Sequence, residues 1–400
     1  MTSMAASLGQ WAHDFEPTAD DLELAGRSLA DTVAVTLAAR EHPVTKVAAS
    51  MSEPGRWSAV GHVLDFDDLH MPSTTHISAV CVPTALATGG GARAYLAAAG
   101  VMARLGTALG WPHYSAGWHA TCTAGAPASA AGAAVAMGLS TPEIATAIAL
   151  AIPAAGGVQR AFGTDAKSLQ VGFAVEAGVR AANLAAAGAS ADHTALADWM
   201  RLVGGDPALV NLAGPAVPDG LAIKIYPCCY ALQRPIAAVA ELAISANIDA
   251  ADVRRVQLRT PAATVVPLIH HQPETGLQGK FSLEYATAAA LLDRYPGFAS
   301  FTDNAVQRDD ARRLVGLVET ELAPGGEWLL DGELAATIYT GTGVVHRGAL
   351  RHPPGSPARP PSAEQLSAKI GDCVAGLDTD WTTWTWQNAA DVLRQYLPGT

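Results

Sequence analysis

Between residues 124 and 138 the chain carries almost nothing larger than alanine, and that run limits how it can fold. A helix faced with alanine, glycine and serine lets its neighbours approach closely, and such a helix suits the centre of a packed bundle. The same economy of size extends along the chain: half the residues are apolar, yet only 6% are aromatic. A mostly helical fold is therefore expected over a β-rich one. At 400 residues the chain exceeds one simple core and points to two domains.

Local signals fill in that picture. Thr18 followed by Asp21 reads as the start of a helix over 18–40, with Leu22, Leu29 and Val33 roughly on one face. Residues 80–110 predict two helices broken at Gly89, Gly90 and Gly91. Ser140-Thr141-Pro142-Glu143 is a capped helix start, and 144–153 and 167–187 continue the helical pattern. After about residue 220 the texture changes. Val253, Val256 and Leu258 are interleaved with Arg254, Arg255, Gln257 and Arg259, as in a half-exposed strand. Residues 334–345 read as strands around Gly341-Thr342-Gly343, and 283–292 as a helix. A proline-rich connector at 353–361 precedes a return to helix. The expectation is mainly α with an inserted α+β domain: a helical domain from 1–220 and 360–400, and a smaller α+β lid over 221–359.

Composition excludes several functions. The net charge of −12 is spread without a basic run, which disfavours nucleic acid as a partner. The five cysteines show no CxxC pair, as in a reducing compartment. The most apolar segment, 144–155, is too short to span a membrane, and no signal-peptide pattern opens the chain. A cytoplasmic protein is expected. Gly89-Gly90-Gly91 lacks the GK[ST] of a phosphate loop, and Gly341 and Gly343 open no helix, so neither reads as a nucleotide site.

The densest polar cluster is GHVLDFDDLHMPSTTH at 61–76, holding His62, Asp65, Asp67, Asp68, His70 and His76. Carboxylates beside imidazoles suit general acid–base work, because a carboxylate fixes the tautomer and raises the basicity of its histidine. The same residue types are metal ligands, although their spacing matches no standard ligand pattern. An ordinary polar loop after a helix is the plain alternative. His119, beside Trp118 and just before the small-residue run, reads either as a group at a helix N-terminus or as a core histidine. Among 25 basic residues only five are lysine. Two of these, Lys167 and Lys224, lie in apolar surroundings, where each can bind a carboxylate or simply snorkel.

Taken together these segments resemble the MmgE/PrpD family. HVLDFDDLH at 62–70 followed by His76, GWHATCTAG at 117–125, KSLQVGFAVEAGVRAANLAAAG at 167–188 and IKIYPCC at 223–229 carry the likeness. KFSLEYA at 280–286, PPGSP at 353–357 and Lys369 support it, in the family's order over nearly the whole chain. The resemblance implies a homodimer without metal or organic cofactor, and an active site between the two domains. It assigns catalysis to Asp65, His76, His119, Lys167, Lys224 and Tyr285. It implies a lyase that removes water or carbon dioxide from a small di- or tricarboxylic acid after proton abstraction beside a carboxylate. An epimerase of a related acid, or a silent member serving as a binding protein, are the alternatives. On this basis His76, oriented by Asp65, is the expected base, with His119 as alternate base or donor and Tyr285 as acid. Leu69 stands where members commonly carry threonine, and Gln233 where a histidine is common. With His70 and Cys229 they mark the expected substrate-contacting positions.

Overall fold

A computed structural model describes residues 2–162, 164–324 and 332–399. The chain divides into two units: Met1–Ala222 with Cys373–Thr400, and Ile223–Asp372. The expected return to the first unit near residue 360 falls instead after Asp372. Residues 363–372 belong to the second unit, where the Asp372 carboxylate accepts from the Phe298 amide at 3.2 Å.

The first unit is helical. It contains α1 (Met4–Asp14), α2 (Ala19–Ala38), α3 (Pro43–Ala48), α4 (Glu53–His62), α5 (Ile77–Thr88), α6 (Gly91–Ser115), α7 (Ala120–Ala136), α8 (Thr141–Ala151), α9 (Ala166–Ala186) and α10 (Ala195–Leu202). Thr18 caps α2 in a reciprocal box with Asp21, and Ser140 and Glu143 do the same for α8, so both starts lie where the capping residues place them. Leu29 and Val33 are buried as expected, whereas Leu22 is exposed. Gly89 closes α5 in the left-handed conformation (φ 69°). Every residue of α7 from Ala120 to Val135 is buried. The close packing expected of its small residues is seen against α9. A Cβ on Gly178 would lie 2.5 Å from the Ser129 Cβ, so only glycine permits that approach. No described helix is long and apolar enough to cross a membrane.

The second unit opens on the Lys224 segment, which leads into α11 (Tyr230–Ser245), followed by β1 (Val253–Pro261) and the single-turn helices α12 (Ala262–Val265) and α13 (Gly276–Gly279). α14 (Leu283–Asp293), α15 (Asp303–Val306), α16 (Asp309–Val315), β2 (Val318–Ala323), β3 (Leu334–Thr340) and β4 (Val345–Leu350) complete its centre. The sheet order is β2-β1-β3-β4, with β1 parallel to β2 and antiparallel to β3. Val253, Val256 and Leu258 face the core with Ala336 and Ile338, joining residues of α11 and α14. The intervening arginines stay at the surface, and Arg255 and Arg259 pair with Glu319 and Glu321 of β2. α17 (Ala363–Cys373) follows, and α18 (Ala389–Tyr396) lies in the returning part of the first unit.

Candidate active site

Helix α4 ends at His62, and a tight turn follows. Asp65 sits in that turn at φ 56°, a left-handed conformation that aspartate tolerates better than most residues. The reversal brings Asp67 back to His62, so that His62 Nδ1 lies 2.7 Å from Asp67 Oδ2, with both side chains essentially buried. Burial is the largest influence on His62, and with Lys167 nearby it lowers the pKa to about 4. A neutral His62 therefore donates its Nδ1 proton to the carboxylate. Burial alone would raise Asp67, but His76 and His62 outweigh it and hold the carboxyl well below its usual range. The outer atoms of this pair, His62 Nε2 and Asp67 Oδ1, are buried without a hydrogen-bond partner among the described residues.

His76 is the N-cap residue of α5, and its backbone N–H donates to Thr121 Oγ1 at 3.1 Å. Its ring packs edge-on against His62, with centroids 4.7 Å apart. His76 Nδ1 stands 3.1 Å from the same Asp67 Oδ2, a close charge contact without hydrogen-bond alignment. One carboxylate oxygen thus faces two imidazoles. Because Nδ1 of His76 is turned to the anion, Nε2 is the nitrogen left for chemistry.

His119 occupies the equivalent place at the start of α7, and its ring centroid is 5.7 Å from that of His62. Burial, with His62 and Lys167 alongside, holds its pKa well below the usual imidazole value. His119 Nδ1 is met by the Gln170 side-chain amide at 2.8 Å and by Cys122 Sγ at 3.2 Å. Gln170 and Lys167 are three residues apart in α9 and so share a face. Lys167 Nζ donates to Asp65 Oδ1 at 3.2 Å and lies 5.9 Å from the Phe162 ring centre. The first unit therefore gathers Asp65, His76, His119 and Lys167, but with one change of partner. Asp67, not Asp65, holds His76, because the turn at Asp65 points that carboxylate to Lys167 instead.

The remaining residues of the 61–76 segment serve the loop itself. His70 Nδ1 meets Ser73 Oγ at 2.7 Å and His70 Nε2 donates to the Pro218 carbonyl at 2.8 Å, so both ring nitrogens are engaged. Leu69 exchanges backbone hydrogen bonds with Ala222 and buries its side chain. Asp68 accepts from Ser78 N at 3.1 Å and from Ser78 Oγ at the start of α5, and burial raises its pKa to about 6.

The second unit holds Lys224, Cys229, Gln233 and Tyr285. Lys224 is buried. Gln233 Oε1 accepts from the Ile225 and Tyr226 amides at 2.9 and 3.0 Å, and its Nε2 donates to the Tyr226 carbonyl at 2.8 Å. Gln233 thus pins the backbone that carries Lys224. A glutamine does this where one imidazole cannot, since it offers an acceptor and two donors on one group. Cys229 is the N-cap residue of α11, and its N–H donates to the Lys280 carbonyl at 3.1 Å. The Tyr285 hydroxyl donates to the Ser300 carbonyl, and burial raises its pKa to about 12.

The MmgE/PrpD N-terminal domain matches residues 56–203 and the MmgE/PrpD C-terminal domain matches residues 226–385. The chain belongs to the MmgE/PrpD family. It is similar to a cis-aconitate decarboxylase of Aspergillus terreus, 26% identical over 346 residues, covering 75% of this chain and 69% of that protein. The cis-aconitate decarboxylase of A. terreus strain NIH 2624 matches to the same extent.

Among the described residues of this MmgE/PrpD chain, His62, Asp67 and His76 place one ligand atom each within 4.8 Å of one another. The donor set is one a divalent cation can take. Lys167 already depresses the charging of His62 and opposes a further positive charge there. Three partners escaped the sequence reading: His62 and Asp67 as a buried pair, and Gln170. The first two were visible as members of the polar cluster, but their pairing depends on the Asp65 turn. Gln170 carried no signal beyond its three-residue spacing from Lys167.

Proposed function

We propose that this chain is a cofactor-independent lyase that abstracts a proton beside a carboxylate of a small di- or tricarboxylic acid. Membership of the MmgE/PrpD family and similarity to a cis-aconitate decarboxylase support a lyase-type enzyme working on carboxylic acids. The observation that carries the finer reading is the Asp67 carboxylate against His76 Nδ1, with Lys167 and His119 in the same helical unit.

In this mechanism His76 Nε2 takes the proton from carbon, and Asp67 stabilises the imidazolium that forms. The electron pair left on carbon spreads into the adjacent carboxylate. Lys167 and the His119 N–H meet the negative charge that develops on its oxygens. When water is lost, the pair then returns to form a carbon–carbon double bond as hydroxide departs with a proton delivered to it. When carbon dioxide is lost, no proton is abstracted first, the bonding pair stays on carbon, and a protonated His76 delivers a proton to the resulting carbanion. The resemblance adds Lys224 as a second carboxylate-binding cation, and the homodimer is proposed on the same ground.

Incubating the protein with citrate-like, aconitate-like and imino-diacid substrates in deuterated water tests this reading. Deuterium entering the carbon beside the carboxylate, with a product of lower mass, is the expected result. Exchange without loss of water or carbon dioxide identifies an epimerase. Absence of exchange with every acid identifies a binding protein and overturns the proposal.

A further inference from the structure

The proposed mechanism needs His119 to present a proton to an oxygen, and the surroundings of its other nitrogen fix whether it can. Val158 N–H donates to Gln170 Oε1 at 3.0 Å. That contact sets the orientation of the Gln170 amide, since only its oxygen accepts. The amide nitrogen is therefore the atom that lies 2.8 Å from His119 Nδ1 and 3.3 Å from the Val158 carbonyl. An amide nitrogen only donates, so His119 Nδ1 is an acceptor and carries no proton. The Cys122 thiol at 3.2 Å is a second donor to the same nitrogen, and burial keeps that thiol protonated. A neutral imidazole has one N–H, which these two partners place on Nε2.

The reference point for this orientation is itself held by backbone. His119 N donates to Gly157 O at 3.0 Å and Gln159 N to Gly117 O at 2.8 Å, which lays residues 157–159 alongside 117–119. Gly157 is at φ 129°, and a Cβ there would lie 2.5 Å from the Cys122 Cβ. The close strap that presents the Val158 amide thus requires glycine.

We infer that Gln170 is a positioning residue that holds His119 as the neutral Nε2–H tautomer, making His119 a hydrogen-bond donor to a substrate oxygen and leaving His76 as the base. This rests on the proposed function only for the identity of that oxygen. The groups around His119 that bear on its charge are His62 of α4, Asp67 of the following loop, His76 at the head of α5, and Lys167 of α9. None of them accepts a proton from His119 Nδ1 among the described hydrogen bonds.

The test substitutes Gln170→Glu, which keeps the shape but offers only acceptors, and Gln170→Leu, which removes the donor. Long-range 15N–1H correlation spectra of 15N-histidine-labelled protein, recorded without substrate at pH 7.5, read the tautomer directly. Wild-type protein is expected to show His119 protonated at Nε2 alone. Gln170→Glu is expected to move the proton to Nδ1 or to charge the ring, and to lower kcat at least tenfold with KM changed less than threefold. Gln170→Leu is expected to give a mixture of tautomers and a smaller loss. A wild-type His119 protonated at Nδ1 overturns the inference. So does a Gln170→Glu protein that folds, keeps the Nε2–H signal and turns over within twofold of wild type. An Nε2–H signal that Gln170→Glu abolishes, in a protein that processes no carboxylic acid, supports tautomer control and overturns the functional reading instead.

Discussion

Asp67 Oδ2 receives the Nδ1 proton of His62 at 2.7 Å in a setting where both side chains are removed from solvent. The same oxygen faces His76 Nδ1, so the carboxylate is shared between an imidazole that is neutral near neutral pH and the one proposed as the base. Sharing has a direction. The His62 proton draws on the charge of Asp67 and so weakens its pull on His76.

Two substitutions separate those contributions. Asp67→Asn keeps an oxygen for His62 but removes the charge that stabilises a protonated His76. Its kcat will fall by about 10²–10⁴-fold, the usual worth of a positioned acid–base group. His62→Gln removes the competing imidazole but leaves the Asp67 charge facing His76, so its kcat will fall less than that of Asp67→Asn. Steady-state kinetics on both proteins check this, and an equal loss in His62→Gln would contradict that division.

Lys167 and Asp65 form the one described ion pair among the predicted catalytic residues, and both are mostly shielded from solvent. A charged hydrogen bond to a substrate carboxylate is worth about 1.5–3 kcal/mol. Lys167→Met will accordingly lower kcat/KM by about ten- to a hundredfold. Asp65→Asn frees the ammonium from its internal partner and will have the smaller effect. Steady-state kinetics on both variants decide it, and equal losses would mean that the pair acts as a unit.

How far this site could be read in the sequence follows from what each feature depends on. The starts of α2 and α8 were legible because Thr18 with Asp21 and Ser140 with Glu143 act within one turn. β1 was legible because its apolar residues face a core and its arginines do not. β2 was not anticipated: its side chains are half-buried or exposed, so it has no apolar alternation, and its Glu319 and Glu321 gain meaning only from Arg255 and Arg259 across the sheet. The choice between Asp65 and Asp67 as the partner of His76 was equally hidden. It turns on the left-handed conformation of Asp65, which no spacing rule reveals.

Acid will weaken the fold through its buried imidazoles. The folded-state pKa of His62 is about 4 against an unfolded value of 6.5, so between these values the unfolded chain binds the extra proton. Stability is therefore fully present above pH 6.5 and is lost as pH falls toward 4, by about 3 kcal/mol for this residue. His119 shifts in the same direction and adds to the loss. Asp68 works the other way: its pKa is raised to about 6, so in this range the folded state is the one that binds the proton. Urea unfolding at pH 7 and pH 5 will show a smaller drop for His62→Gln than for wild type, and equal drops would remove His62 from the account.

Gln233 gives the clearest prediction for the second unit. Its side chain satisfies the Ile225 and Tyr226 amides and donates to the Tyr226 carbonyl, all of them in buried backbone. Gln233→Leu leaves the Ile225 and Tyr226 amides unpaired, whereas the Tyr226 carbonyl keeps the Cys228 N–H at 2.8 Å. At about 1–3 kcal/mol for each buried unsatisfied amide, the variant will lose about 2–6 kcal/mol in denaturant unfolding. Gln233→Glu keeps the acceptor for both amides but loses the donor to Tyr226, placing its loss between wild type and leucine. If glutamine served substrate instead of the loop, Gln233→Leu would change KM while leaving the unfolding midpoint where it was, and measuring the two together distinguishes the roles.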